Sequence, residues 1–303
     1  MADTLTPPNA LAEARERALA PLSGRFVLDQ VCAGMAGLES RDAVLVMAIN
    51  QANIAALTRD PNARRRYGAL EAPAPDDERR PVSLSAIAAS LGLPYETVRR
   101  RVQRLAKRGV CELTEFGALV PESFLASPAY LQSVVAAHLR LHHFYRELAA
   151  ADLMEALPPS RYPPEPTVPV RASLRPLSDY LLRNTEHLMA VTGELICGLA
   201  LFGLLSVEDR LPGAPCSTAA LARRMAMPHE TVRRRVAELV VSGLARRDGR
   251  GVWVPEEVLS RPELARLFRD NATDLQRLFT TLAERGVIEA WDRLGVAESP
   301  PAF

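Results

Sequence analysis

Apolar positions at helical spacing fill most of this chain, and only a few runs break the pattern. The spacing predicts a short polar-faced helix over Leu11–Ala20, an apolar-rich helix over Arg41–Leu57 and another over Tyr130–Ala151. A long apolar helix is expected over Leu182–Leu205 and a closing helix over Pro262–Glu284. Residues 1–10 read as disordered and the tail after Trp291 as frayed. Thr58–Pro81 carries Pro61, Pro73, Pro75 and Pro81 among many charges and reads as an exposed loop. Leu157–Pro176 holds seven prolines and reads as a stiff, extended linker. At ~3.1 Å per residue such a linker could reach roughly 60 Å.

The most informative pattern is a repeat. Glu96-Thr97-Val98-Arg99-Arg100-Arg101-Val102 recurs letter for letter as Glu230-Thr231-Val232-Arg233-Arg234-Arg235-Val236. The register holds without a gap from Ser83/Ser217 to Pro128/Pro262, with 19 identities in 46 paired positions. Ser83 and Ser217 stand as N-caps of a short first helix in each copy. A turn ending in Pro94 or Pro228 leads into the arginine-bearing helix, which Gly109 or Gly243 should terminate. Val98, Val102 and Leu105 fall within about 60° of one another at 100° per residue, one buried stripe. Val232, Val236 and Leu239 repeat it. Two short strands then follow around Glu115-Phe116-Gly117 or Asp248-Gly249-Arg250-Gly251.

Composition narrows the function classes. At 303 residues the chain has room for two domains, and 48% apolar content suits a globular protein. The net charge of +1 hides local imbalance. Ser83–Gly109 has six Lys/Arg against one Glu, and Ser217–Gly243 has five Arg against two Glu. Cys32, Cys111, Cys197 and Cys216 have no paired spacing, as expected of free thiols in a reducing cytoplasm. The apolar run Leu188–Leu205 contains Glu194 and reads as a core helix rather than a membrane span. No nucleophile elbow, phosphate loop, HExxH or dinucleotide fingerprint occurs, so no enzyme, cofactor or membrane partner is expected.

The run Pro-x-Glu-Thr-Val-Arg-Arg-Arg-Val-x-x-Leu-x-x-x-Gly resembles the recognition helix of bacterial winged helix-turn-helix regulators of the GntR, IclR and MarR families. The apolar helices flanking each core look most like the MarR arrangement. The resemblance implies a mainly α fold with small β-wings, two tandem winged helix-turn-helix units forming a pseudo-dimer. The expected division is an N-terminal extension (1–36), unit 1 (37–155), a Pro-rich linker (156–177), unit 2 (178–290) and a tail (291–303).

It also implies a sequence-specific, double-stranded-DNA-binding transcription regulator of the bacterial cytoplasm. Such a chain would read a pseudo-palindromic site, acting as a monomeric pseudo-dimer or as a homodimer. Tyr95, Glu96, Arg99 and Arg100, with His229, Glu230, Arg233 and Arg234, are the base-facing candidates. Thr97, Thr231, Arg101 and Arg235 suit phosphates, and Arg104 is a further DNA-binding candidate. In the second wing Arg246, Arg247 and Arg250 are further contacts, Arg250 at the tip where a narrow minor groove could accept it. The first wing has Glu112, Glu115 and Glu122 and no base, so the footprint should be asymmetric.

A rival is a tandem winged-helix module that docks a protein instead of DNA. His138 and His142 stand at i, i+4, but no third metal ligand is evident. Asn50, Gln51 and Asn53 suit either packing or ligand contact, and the sequence does not choose. An effector in a cleft between the long helices and the motif lobes is compatible with the regulator reading, with no ligand specified.

Overall fold

In the computed structural model of the protein, which describes residues 8–162, 170–206 and 214–294, nearly every apolar run becomes a helix. The chain opens with α1 (Pro8–Cys32), α2 (Ser40–Arg59) and α3 (Pro61–Arg66). A helical pair follows, α4 (Leu84–Ser90) and α5 (Tyr95–Ala106), then a hairpin of β1 (Glu112–Thr114) and β2 (Gly117–Leu119). Then come α6 (Glu122–Leu125), α7 (Pro128–Ala150), α8 (Val170–Thr192) and α9 (Leu195–Leu205). The same succession of helix pair and hairpin recurs in α10 (Thr218–Arg224), α11 (His229–Val241), β3 (Arg246–Asp248) and β4 (Gly251–Trp253). The described chain closes with α12 (Glu256–Leu259), α13 (Pro262–Glu284) and α14 (Val287–Leu294). The fold is thus mainly helical with two small antiparallel sheets.

The chain forms two compact units, each drawn from segments distant in sequence. Among the described residues the α5 unit comprises 33–145, 156–162, 170–186 and 278–294; the α11 unit comprises 8–32, 146–155, 187–206 and 214–277. Contiguous stretches, the division read from sequence, are not how the chain partitions. The physical reason is visible in α1, which is no loose extension: Phe26, Val27, Leu28 and Val31 are buried and the helix packs on α9.

In the α11 unit, α9 is the hub. All eleven of its residues are buried, and α1, α10, α11 and β4 pack around it. A helix covered on every side needs no polar face, which explains the unbroken apolar run. The long helix expected over Leu182–Leu205 is in fact two. Gly193 adopts φ +74°, and Glu194 caps α9 by accepting from the Ile196 and Cys197 N–H groups at 3.0 and 3.2 Å. Left-handed glycine and cap together turn the chain by 96° between α8 and α9. Among the described residues no single helix is long and apolar enough to cross a membrane; this bent pair passes on length and composition alone.

Both hairpins are tied down alike. Val82 bridges Ala118 in one, and Cys216 bridges Val252 in the other. Gly117 (φ +132°) and Gly251 (φ +139°) sit beneath these bridges, where a Cβ would lie 2.2 Å from the Val82 carbonyl oxygen or 2.5 Å from that of Cys216. Only glycine fits. Ser83 and Ser217 do cap α4 and α10, accepting from Ala86 N–H and Ala220 N–H.

In the α5 unit, α2 carries the core through Leu45, Val46 and Ile49, against which α4, α5 and β2 pack. The segment Thr58–Pro81 is not an exposed loop. Ala63, Tyr67 and Ala74 form a small buried cluster, and Arg79 is buried with its guanidinium on Asp76 and the Val120 carbonyl. The extended-linker reading fails over 170–177, which lies in α8; Pro163, Pro164, Pro166 and Pro169 lie outside the described residues. Pro176 is tolerated inside α8 because the carbonyl that loses its helical donor, Ala172, accepts from Arg285 Nη1 at 2.9 Å.

Two histidines of α7, His138 and His142, are packed side chains, whereas His143 is exposed. Trp291 Nε1–H donates to His138 Nε2 at 3.3 Å, so the ring is neutral and Nδ1–H donates to Ser173 Oγ at 2.8 Å. His142 stacks on the same indole at 4.9 Å. Burial, then His142, push the His138 pKa down to about 4. The unfolded value is about 6.5. Between these values the unfolded chain holds a proton that the folded unit rejects. Stability should therefore be full above pH 6.5 and fall by about 3 kcal/mol as pH drops to 4. Urea unfolding across that range should show this decline, and His138→Phe should flatten it.

Candidate nucleic-acid interface

The arginine helices present their faces as the apolar stripe dictates. Val98, Val102 and Leu105 are fully buried in α5, as are Val232, Val236 and Leu239 in α11. The remaining positions therefore face outward to different degrees. Tyr95 is 48% exposed at the start of α5, and His229 is exposed at the start of α11. Thr97 and Thr231 are half-buried.

Charge on these faces is sorted by pairing. Glu96 receives Arg99 through Nε (3.0 Å) and Nη2 (2.8 Å), and Glu230 receives Arg233 in the same fork at 2.7 Å for each bond. Both carboxyls are held below the usual range, chiefly by these hydrogen bonds. The pairs are exposed and open to competition by another acceptor. Among the described residues Arg100 makes only a long 3.4 Å bond to the Glu96 carbonyl and no ion pair, so its guanidinium stays open on the exposed surface. Arg234 is likewise exposed, and no ion pair engages it among the described residues.

The third arginine of each trio behaves differently from its expected phosphate role. Arg101 Nη1 bonds Asp42 of α2 at 2.6 Å, and Arg104 Nη2 reaches the other Asp42 oxygen at 3.0 Å. Asp42 is almost wholly buried, so this clamp fixes α5 against α2. Arg235 bonds Glu238 at 2.8 Å and lies 3.4 Å from Glu194. In each unit a carboxylate from the preceding apolar helix or its cap holds the same repeat position. Arg101 and Arg235 thus orient their helices, whereas Arg104, 56% exposed, keeps a free side. Beside the second clamp, Cys197 Sγ donates to Glu238, and burial, then that bond, push its thiol up to about 12.

The hairpins differ in character. In the second, Arg246 pairs with Glu257 at 2.5 Å and Arg247 donates to Thr218 Oγ1 at 2.9 Å. Arg250 folds back onto Asp248 at 2.9 Å and lies over the Trp253 ring, yet its side chain stays 74% exposed. Arg247 alone of the three meets only a neutral partner. In the first hairpin Leu113 (46%) and Phe116 (72%) are exposed beside Glu112 and Glu115.

Sequence reasoning missed the two anchoring carboxylates as site residues. A lone Asp in the apolar run of α2 and a lone Glu beside Gly193 were the available signals. It also left Asn53 undecided, and the structure places that side chain in packing: it is 1% exposed, donates to the Arg80 and Ala118 carbonyls and accepts from Val120 N–H. Compared with known protein families, curated proteins and solved structures, the chain matches none.

Proposed function

We propose that the protein is a sequence-specific, double-stranded-DNA-binding transcription regulator in which both arginine helices, α5 and α11, act as recognition helices of winged helix-turn-helix units. The reading rests on one observation: Arg100 and Arg234 stand exposed, without an ion pair among the described residues, at the same repeat position opposite a buried valine stripe. Folding requires the stripe and does not require those cations. An arginine so placed can fork onto guanine O6 and N7 in a major groove. The adjacent Glu96–Arg99 and Glu230–Arg233 pairs supply groups that can exchange partners for a base edge or phosphate.

The duplicated register supports two half-sites read by one chain, in the manner of a MarR-like pseudo-dimer. The asymmetric hairpins support unequal flanks, with minor-groove contact from the second only. Selection of sites from random duplex DNA tests the reading: it should enrich a two-part motif, and enrichment of none would refute it. A protein-docking reading is favoured by one observation, the exposed Leu113 and Phe116 on the acidic first hairpin. That surface suits a partner with apolar and basic groups, and it need not exclude DNA binding elsewhere.

A further inference from the structure

A cavity within the α5 unit, beside α2, α7 and α8, has an unusual charge lining. Of its thirteen lining residues three are arginines, Arg79, Arg171 and Arg175, and none is acidic. All three are buried, at 3%, 8% and 7% exposure. Arg79 has Asp76 as a counter-charge. Among the described residues Arg171 hydrogen-bonds only carbonyls, those of Leu70 at 2.6 Å and Leu125 at 2.8 Å, with Tyr130 beneath its guanidinium and Glu71 acting on it through charge alone. Arg175 bonds the Tyr67 carbonyl at 3.1 Å. Its Nη1 has no partner, and neither do Arg79 Nε and Asn50 Oδ1.

Buried cations without a carboxylate are costly, and proteins keep them where an anion completes the set. Asp76 also accepts from Glu122 N–H and Asp179 accepts from Gln51, while Glu71 favours the Arg171 charge without forming an ion pair with it among the described residues. Burial, then repulsion from Arg285 and Arg171, lower the Arg175 pKa to about 10, as expected of a cation short of counter-charge. The cavity gives about 50 Å³ to the centres of water-sized groups. One water needs only ~10–15 Å³ on that measure. Ile54, Leu125, Val134 and Leu174 make the rest of the wall apolar.

We propose that this arginine-lined cavity binds a small organic carboxylate, its oxygens on Arg175 and Arg171 and a compact apolar body against Ile54, Val134 and Leu174. Arg175 Nη1 is the unpartnered donor for one carboxylate oxygen, the Arg171 charge favours the anion beside it, and the apolar wall selects against a bare inorganic anion. The inference goes beyond the DNA reading and stands whether or not the chain binds duplex.

The test is titration of the full chain with sodium butyrate, butyramide and inorganic phosphate at matched ionic strength, read by thermal unfolding and amide hydrogen exchange. Butyrate should raise the midpoint saturably and slow exchange around residues 50–54 and 170–178, while butyramide should do neither. Arg175→Met should weaken butyrate binding about tenfold or more, the scale of a ~1.4 kcal/mol loss. Arg161→Gln, a surface change, should leave it intact. The proposal is overturned if butyrate gives no saturable response, if butyramide or phosphate matches it, or if folded Arg175→Met binds as wild type does. Should Arg175→Met not fold, the location of exchange protection decides: protection elsewhere overturns the site.

Discussion

Replacing Arg100 and Arg234 together with alanine should lower affinity for the selected duplex by roughly 30- to 20,000-fold while leaving the thermal midpoint unchanged. The size follows from the chemistry. A forked arginine–guanine contact is worth about 1–3 kcal/mol, and two are removed. Both side chains are exposed and neither holds an ion pair among the described residues, so folding loses almost nothing. Arg101→Ala with Arg235→Ala should act in the opposite sense, lowering the midpoint because Asp42 and Glu194 lose partners they hold against the helices. Fluorescence anisotropy and thermal unfolding on the same preparations separate the two. Equal affinity loss from both doubles, or none from the first, would count against exposed arginines as the reading groups.

Asn53→Ala should cost the α5 unit about 3 kcal/mol, among the larger losses available from one polar substitution. Asn53 is 1% exposed and makes three bonds: donation to Arg80 O (2.8 Å), donation to Ala118 O (3.0 Å) and acceptance from Val120 N–H (3.0 Å). The losses are unequal. Ala118 O keeps a donor in Val82 N–H, and Arg80 is exposed enough for water to replace the amide. Val120 N–H, on a fully buried residue, is left without a partner. An unsatisfied buried donor costs about 1–3 kcal/mol, and the void from truncation adds to it. Asn53→Asp should be worse, because a carboxylate can accept from Val120 but cannot donate to the two carbonyls. Urea denaturation measures both; a loss below about 0.5 kcal/mol for alanine would mean water substitutes for the amide.

What could be read from sequence was what period and punctuation encode. The valine stripes, the Ser83 and Ser217 caps and the glycine helix ends all depend on residues within one turn of each other. What escaped depends on distance along the chain. Nothing local marks α1 as the partner of α9, since that pairing is set by which apolar faces meet. The proline-rich reading of 156–177 went too far because Pro176 is rescued by Arg285, more than a hundred residues away. The long apolar helix was overextended because Glu194 was weighed as a burden on burial, not as the cap it is. At the candidate interface, helical spacing separated exposed from buried arginines in outline. It could not say that Arg101 and Arg235 are held by carboxylates from an earlier helix and its cap.

The central claim is that one chain grips duplex DNA with two arginine helices. Selection from random duplexes, followed by titration of the enriched site, tests it most directly. The account predicts a motif of two inverted half-sites, one taken by α5 and the other by α11 of a single chain. It also predicts a log–log salt slope near −5, as expected for about six phosphate contacts. A salt-insensitive curve, or a single half-site bound as well as the pair, would contradict it.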